Sequence, residues 1–216
     1  MDPLTIAVPK GRILAALGPL LARAGLDAAP LEADDRRLVR DAVDGRVRYL
    51  FLKPDDVPTY VEYGAADVGF AGRDTLLERR HDVYAPVDLG IGRCRMIVAG
   101  PEGMEPKGAP RVATKYPRIA AEHFARRGVP AEIIPVSGSV ELAPLVGLSH
   151  LIVDLVETGS TLKQNRLVEI EEVAKVSTML VANRAAYKLR ADVVRPLVAR
   201  LRGASAHGAP PARVLP

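Results

Sequence analysis

Short apolar runs alternate with amphipathic stretches along most of the chain. Most of these runs are continuously apolar, which is typical of strands buried on both faces of a sheet. The predicted strands are Leu4–Val8, Arg48–Leu52, Ala66–Phe70, Arg95–Ala99, Arg111–Thr114, Ala131–Val136 and His150–Val156. The predicted helices are Arg12–Ala24, Asp56–Tyr63, Thr75–Arg80, Pro117–Arg127, Val140–Val146, Ser160–Asn165 and Asp192–Arg202. This alternation predicts an α/β protein with mostly parallel sheets.

Two segments of the pattern indicate a division into lobes. The turn Pro86–Gly92 leads into one strand, and a long β-prone run, Val173–Ala182, comes much later. Two such segments can be paired crossovers between lobes. We therefore predict a discontinuous first lobe, residues 1–90 plus 178–202, and a second lobe, residues 91–177.

Composition narrows the class of protein. With 216 residues, 48% of them hydrophobic, the chain is long enough to bury a core without disulfides or metals. A single cysteine, Cys94, excludes a disulfide framework and favours a reducing compartment. The histidines show no zinc-ligand spacing. Residues 203–216 are rich in Gly, Ala and Pro without periodicity, so we expect a disordered tail.

The chain is expected to be cytoplasmic and to make no contact with a membrane. No uncharged apolar stretch is long enough to span a bilayer. Lys10 and Arg12 interrupt the first apolar run, which argues against a signal peptide.

The charge balance favours an anionic small-molecule ligand. Thirty basic and 26 acidic residues give a net charge of +4, and 23 of the 30 cations are Arg. Arg holds branched anions with a planar fork of donors. No Lys/Arg block with interleaved aromatics is present, so we expect no nucleic-acid partner. An Arg-rich solvated surface is the alternative.

The most informative segment is His150–Leu162, an apolar strand followed by a Thr-Gly-Ser-Thr turn and a helix start. Such a turn leaves backbone N–H groups unpaired at the positive end of a helix dipole, which suits a phosphate. Gly159 allows close approach of the backbone, and Asp154 is placed to accept hydrogen bonds from a sugar diol. The turn also contains three hydroxyls, on Thr158, Ser160 and Thr161. A simple helix cap by Ser160 or Thr161 is the alternative.

Residues 153–162 resemble the phosphoribosyl-pyrophosphate (PRPP) loop of phosphoribosyltransferases. Six short motifs occur together and in order: Val8–Arg12, Asp56–Tyr60, Gly64–Gly69, Ala113–Pro117, Gly138–Pro144 and Glu157–Gly159. Together they resemble the short form of the ATP phosphoribosyltransferase family of histidine biosynthesis, from Leu4 to Arg202.

The resemblance implies a periplasmic-binding-protein-like (type II) α/β fold with a cleft between two lobes. It implies that N1 of ATP attacks C1 of PRPP, releasing pyrophosphate and forming N1-(5-phosphoribosyl)-ATP, the first step of histidine biosynthesis. Mg²⁺ is expected to arrive with PRPP, with no metal ligand from the protein. The expected partners are a second copy of the chain, in a homodimer, and a regulatory subunit resembling a histidyl-tRNA synthetase. Inhibition by histidine is expected only with that subunit.

Site roles follow from the same resemblance. Residues Glu157, Thr158, Gly159, Ser160 and Thr161 would hold the 5-phosphate, and Asp154 would face the ribose hydroxyls. Lys10 and Arg12 would be the catalytic cations, acting on the pyrophosphate or the ATP phosphates. Further candidate contacts to ATP or pyrophosphate are Gly11, Lys115, Ser139 and Glu141. Ser139 as a helix cap and Glu141 as a helix-start carboxylate are the alternatives for those two residues.

Other polar residues are given structural roles. We interpret Arg36, Arg37, Arg40, Arg46 and Arg48 as surface charge, with an ATP contact as the alternative. Asp67 is predicted to be a strand-end residue and Asp74 a helix N-cap, and neither is given a catalytic role. Two functions stay open beside the favoured one: a non-catalytic small-anion binding protein of the same fold, and a phosphoribosyltransferase for another base.

Overall fold

The computed structural model describes residues 2–33, 35–104 and 108–205, and they form two compact units. Among these residues, the chain up to Gly92 and the chain from Ser177 onward form one unit, and Arg93–Val176 form the other. The first unit begins with β1 (Leu4–Pro9), α1 (Arg12–Arg23), α2 (Ala29–Glu32), β2 (Val39–Asp41), β3 (Val47–Leu52), a 3₁₀ turn (Pro54–Asp56), α3 (Val57–Glu62), β4 (Val68–Gly72), α4 (Arg73–Arg79) and β5 (Tyr84–Asp88).

The chain then builds the second unit and returns to the first. The second unit contains β6 (Cys94–Pro101), β7 (Arg111–Thr114), α5 (Pro117–Arg126), β8 (Glu132–Pro135), α6 (Leu142–Leu145), β9 (Leu151–Val156), α7 (Ser160–Gln164) and β10 (Leu167–Val176). The first unit is completed by β11 (Thr178–Ala182), α8 (Arg184–Leu189) and α9 (Ala191–Ala204).

Each unit has one mixed sheet. In the first, the strand order is β2-β3-β1-β4-β11-β5. Strands β3, β1 and β4 are parallel, whereas β2 pairs antiparallel with β3, and β11 pairs antiparallel with both β4 and β5. In the second, the order is β10-β6-β9-β7-β8, with β9, β7 and β8 parallel. The prediction of mostly parallel sheets is therefore wrong. β6 and β11 enter their sheets directly from the other unit, and β2 joins β3 through a short turn, so these strands lack the crossover that joins sequential parallel strands.

The core of the first unit covers both faces of its sheet. Ile6 and Val8 of β1 point to the face covered by α1 and α9, where Leu17 and Leu197 are fully buried. Ala7, between them, belongs to the opposite layer with α3. The continuous apolar runs of the sequence are explained by this burial on both faces.

The second unit has a smaller core. Ile97 of β6 and Ile152 of β9 are fully buried and pack with Val140 and Leu162. On α5, the buried His123 bonds through Nε2 to Glu171 Oε1 of β10 at 2.6 Å. This polar contact joins the edge strand β10 to α5.

The C-terminal helix differs from the sequence prediction. Residues 203 and 204 belong to α9, so the tail expected from residue 203 begins inside a helix. Residues 206–216 of that expected tail lie outside the described residues. Among the helices that the structure describes, none is long and apolar enough to cross a membrane.

Gly69 on β4 provides a test of packing in the first unit. A Cβ there would lie 2.9 Å from Val57 Cγ1, 2.9 Å from Val61 Cγ2 and 3.1 Å from Ala7 Cβ. We expect Gly69→Ala to lower the free energy of unfolding by about 1–3 kcal/mol, the usual cost of overpacking. Urea unfolding measures this quantity.

Gly203→Ala is the matched control, because a Cβ at this position in α9 meets no atom within 4 Å. It should leave stability unchanged or raise it by up to about 1 kcal/mol, since Ala is the better helix former. Equal stability of Gly69→Ala and the unmodified protein would contradict the packing described for β4 and α3.

Candidate active site

Three loops of the second unit meet at one edge of its sheet. Strands β8, β7 and β9 are parallel neighbours, so their carboxyl ends lie at the same edge. Lys115 follows β7, residues 136–141 follow β8, and residues 157–161 follow β9. After β7 the chain adds β8 on one side of that strand and β9 on the other, so the strand order reverses at β7. Ligands of open α/β sheets bind at carboxyl strand ends where the strand order reverses.

Thr114 ends the pairing between β7 and β9. It is fully buried and is the last β7 residue in register with β9, opposite Val153. Its Oγ1 donates to Val153 O at 2.7 Å and accepts from Tyr116 N at 2.8 Å. This hydroxyl satisfies the carbonyl of Val153, the last β9 residue that pairs with β7, and the chain after Thr114 turns away from β9. Asp154 is therefore the first residue of β9 beyond its pairing with β7.

Asp154 is a half-buried carboxylate at this point. Its Oδ1 accepts from the backbone N–H of Leu155 at 2.8 Å. Burial raises the pKa of Asp154 to about 6, against the opposing effect of the Leu155 N–H; Glu141 raises that pKa further and Lys115 lowers it. Glu141 and Lys115, two further predicted site residues, therefore act electrostatically on Asp154.

The loop after β9 is exposed and rich in hydroxyls. Gly159 adopts φ 76°, ψ 6°, a left-handed conformation that favours glycine, and it is the cap residue of α7. Thr158 Oγ1 and Ser160 Oγ lie 3.1 Å apart. Gly159 holds the cap position of α7, and the N–H of Ser160 donates to Thr158 Oγ1 at 3.4 Å, so the alternative that Ser160 or Thr161 serves only as a helix cap is wrong.

Ser139, in the loop after β8, also has a left-handed backbone, with φ 48°. For a residue other than glycine this costs about 1–2 kcal/mol. The cap position of α6 is Glu141, without a side-chain cap bond, so the helix-cap alternative for Ser139 is wrong. Strained conformations of this kind cluster at binding and catalytic sites.

In the first unit, Lys10, Gly11 and Arg12 form the turn between β1 and α1. Lys10 N donates to Leu52 O at 2.8 Å, which extends the pairing of β1 with β3. Gly11 has φ 93° and ψ −152°, a conformation essentially restricted to glycine. All three residues are exposed, and the first turn of α1 contains no acidic residue. Cations at a helix N-terminus oppose its dipole, and a bound anion would offset that cost.

A pocket of about 410 Å³ lies beside this turn, within the first unit. Its lining contains the cations Lys10, Arg36, Arg37 and Arg40, the carboxylate Asp35, and an apolar wall that includes Leu14, Leu31 and Phe51. Arg12 does not line this pocket. The pocket thus combines a cationic side with an apolar side.

The interpretation of the Arg-rich stretch as surface charge needs correction. It is right for Arg46 and Arg48, which are exposed and pair with Asp44 and Asp41. It is wrong for Arg40, whose side chain is only 8% exposed. Arg36 and Arg37 are exposed but line the pocket. The segment after α2 brings them beside the end of β1, a tertiary contact that periodicity does not reveal.

The two aspartates given structural roles differ in outcome. Asp67 Oδ2 accepts from Thr5 N at 2.8 Å and pairs with Arg190 Nη1 at 2.6 Å, a structural role at the start of β4. The prediction that Asp74 caps a helix is wrong, because Gly72 occupies the cap position of α4. Asp74 is instead a buried residue of the first helical turn.

Comparison with known proteins assigns the chain. The family model described as HisG, ATP phosphoribosyltransferase, matches residues 53–203. An ATP phosphoribosyltransferase of Sorangium cellulosum is 74% identical, covering 94% of this chain and 97% of the relative. ATP phosphoribosyltransferase 2 of Geobacter sulfurreducens is 49% identical, with 88% and 92% covered. The chain belongs to the ATP phosphoribosyltransferase family.

Solved structures agree with this family and with the fold. The ATP phosphoribosyl transferase (HisG:HisZ) complex of Thermotoga maritima matches with a TM-score of 0.80 at 36% identity, covering 94% of this chain and 99% of that one. This is a match to the short form of the family. The aliphatic sulphonate binding protein SsuA of Escherichia coli matches with a TM-score of 0.61 at 11% identity, covering 95% of this chain and 73% of that one. The second match shows a shared periplasmic-binding-protein-like fold alone.

Family membership decides between the functions left open by the sequence. The chain is an enzyme, a pentosyltransferase of the first step of histidine biosynthesis. A non-catalytic anion-binding protein is therefore excluded, although that class shares the fold.

The raised pKa of Asp154 predicts a pH-dependent stability. Protonation of this carboxyl favours the folded state, so its contribution is complete below the ordinary pKa of 3.8 and is lost as the pH rises through about 6. Asp154→Asn should therefore gain up to about 3 kcal/mol in unfolding free energy relative to the unmodified protein between pH 4 and pH 8, at 1.36 kcal/mol per pKa unit.

Urea unfolding at several pH values measures this difference. Glu132→Gln, an exposed carboxylate of β8, is the matched control and should follow the pH profile of the unmodified protein. If the profile of Asp154→Asn runs parallel to both, Asp154 does not titrate as described.

Proposed function

We propose that the two strand-end sites divide the substrates, with PRPP at the second unit and ATP at the pocket of the first. The observation that carries the proposal is the convergence of Asp154, Lys115 and the loop 157–161 at one edge of the second sheet. A glycine turn, three hydroxyls, a carboxylate and a cation complement a phosphate joined to a sugar diol.

The loop after β9 is assigned to the 5-phosphate of PRPP. Residues Glu157, Thr158, Gly159, Ser160 and Thr161 surround the start of α7, where backbone N–H groups and hydroxyls donate to phosphate oxygens. Asp154 lies just before this loop on β9 and accepts hydrogen bonds from the ribose hydroxyls. Lys115, Ser139 and Glu141 lie on the neighbouring loops and are assigned to the rest of PRPP.

The pocket of the first unit is assigned to ATP. Its apolar wall, with Leu14, Leu31 and Phe51, suits a purine base, and its cations suit a triphosphate. PRPP contains no purine or other apolar ring that could pack against these apolar residues, which favours ATP as the ligand of this pocket. Gly11 permits the turn that places Lys10 at this pocket.

The reaction needs no nucleophilic side chain. N1 of the adenine forms a bond to C1 of the ribose as the bond from C1 to the pyrophosphate oxygen breaks, and positive charge develops on the ribose. Catalysis then depends on positioning and on stabilising the departing pyrophosphate. We assign the second task to Lys10 and Arg12.

Mg²⁺ is expected to enter with PRPP. Within the described residues, no three His, Cys, Asp or Glu side chains are grouped so as to hold a metal ion. We propose that the metal is held mainly by the pyrophosphate oxygens, and we assign no protein ligand. When bound, Mg²⁺ neutralises part of the charge of the leaving group.

The partner assignment extends the structural match. The Thermotoga relative occurs in a HisG:HisZ complex. We propose that this chain forms a homodimer and joins a HisZ-type regulatory subunit that resembles a histidyl-tRNA synthetase. The cytoplasm is the proposed location.

Gly159 provides the test of the PRPP site. Its left-handed conformation strains any β-branched residue, so Gly159→Val should distort the loop and weaken PRPP binding at least tenfold. Gly159→Asn is the matched control, because Asn tolerates this conformation and should retain most of the affinity. Calorimetric titration of the full chain with PRPP, and separately with ATP, measures both.

ATP affinity should be the same in both Gly159 variants. Unchanged PRPP affinity in Gly159→Val would remove the loop from the PRPP site. An equal loss of PRPP and ATP affinity would contradict the division of substrates.

Lys10 and Arg12 provide the test of the catalytic cations. A cation that acts on the departing pyrophosphate contributes mainly in the transition state, so Arg12→Ala should lower kcat more than it raises KM. Loss of a hydrogen bond to a charged group costs about 1.5–3 kcal/mol, which corresponds to roughly 10- to 150-fold in rate. Lys10→Ala should also raise KM for ATP, because Lys10 lines the pocket.

Steady-state rates with ATP, PRPP and Mg²⁺, followed by pyrophosphate release, measure these effects. Arg46→Ala, an exposed cation outside the pocket, is the control and should retain full activity. Full turnover in both the Lys10 and the Arg12 variants would show that they form only a basic helix start.

A further inference from the structure

Arg40 is fixed in the wall of the first-unit pocket. Its guanidinium carbon lies 4.4 Å from the centre of the Phe51 ring, and its Nη1 donates to Pro30 O at 2.5 Å. Nη2 donates to the backbone carbonyl and to Oδ1 of Asp35, both at 2.9 Å. A stacked and bidentate guanidinium of this kind is not interchangeable with a lysine ammonium. Arg40 therefore holds Asp35 in one position.

Asp35 in turn holds Arg37. Its Oδ1 accepts from the backbone N–H of Arg37 at 2.8 Å, and its Oδ2 accepts from Arg37 Nε at 2.8 Å and lies 2.7 Å from Nη2. Arg37 and, less strongly, Arg40 lower the pKa of Asp35 to about 2, so the carboxylate stays ionised. One carboxylate thus joins a buried arginine to an exposed one.

Stability alone gives little reason for the outer half of this network. The Arg37 side chain is 73% exposed, and exposed ion pairs contribute little to folding. The pair does restrict a long, flexible side chain at the rim of a pocket. Ordering such a side chain beforehand reduces the entropy lost when a ligand binds. The contacts of Arg37 with Asp35 are made by Nε and Nη2, and not by Nη1.

We propose that Asp35 and Arg40 are positioning residues, which hold Arg37 at the pocket rim so that its guanidinium meets the phosphates of ATP. This inference rests on the proposed ATP site. In this proposal the carboxylate of Asp35 favours the binding of ATP, whereas simple electrostatics predicts that its negative charge repels the phosphates. The two roles predict opposite effects of removing the charge of Asp35.

The test is ATP affinity of the full chain, measured by calorimetric titration for Asp35→Asn, Arg37→Gln and the double variant. Arg37→Gln should weaken ATP binding roughly tenfold, as expected for one lost charge-assisted contact. Asp35→Asn should weaken it about three- to tenfold, because Arg37 loses its anchor. The double variant should bind ATP no more weakly than Arg37→Gln, because Asp35 acts through Arg37.

Two controls and one further variant separate positioning from folding. Asp41→Asn breaks the matched exposed pair of Asp41 with Arg48 on β2 and β3 and should leave ATP affinity unchanged. PRPP affinity and the thermal midpoint should stay constant in Asp35→Asn. Arg40→Lys keeps the charge but loses the fork to Asp35, so it should weaken ATP binding as Asp35→Asn does.

The outcomes distinguish this inference from the site on which it rests. If neither Arg37→Gln nor Lys10→Ala changes ATP affinity, the pocket does not bind ATP and the proposed site fails. If Arg37→Gln weakens binding while Asp35→Asn leaves it unchanged or tightens it, Asp35 is only a repulsive charge and the positioning role is overturned. Additive losses in the double variant would also overturn it.

Discussion

Thr114 ends β7 while its parallel neighbour β9 continues to Val156, and this difference in length opens one side of β9. The hydroxyl of Thr114 satisfies the last paired carbonyl, that of Val153, so the strands separate without leaving a buried acceptor unpaired. Asp154 is the first residue beyond that point. Its partial burial, its raised pKa and the exposure of the loop after it all depend on where β7 stops.

The first unit also has a candidate site at the carboxyl end of a strand, with different side chains. There the carboxyl end of β1 leads through Gly11 into α1, and the segment after α2 lies beside this turn. The second unit presents hydroxyls, glycine backbone and a carboxylate, while the first presents guanidinium groups and an apolar wall. Because the two chemistries differ, we propose a different substrate for each, although both units use strand ends of a mixed sheet.

Much of this organisation is predictable from the sequence. The apolar runs identify most strands, and the strand–glycine–helix pattern around Gly159 identifies the turn that we propose as the phosphate loop, because both depend on local geometry. The direction of β11 and β10 is not predictable in this way, since it depends on how the chain passes between sheets. The pocket around Arg40 was missed for a similar reason. Its only local signal is the spacing of Asp35, Arg37 and Arg40, and solvated arginines show such spacing as well.

We propose that the two substrates bind to separate strand-end sites, one in each unit. Hydrogen–deuterium exchange of the full chain with each substrate alone tests it directly. PRPP with Mg²⁺ should slow exchange in peptides that cover residues 154–164, and ATP should slow exchange in peptides that cover residues 9–14 and 35–40. Protection of residues 154–164 by ATP alone, or of residues 35–40 by PRPP alone, would contradict the account.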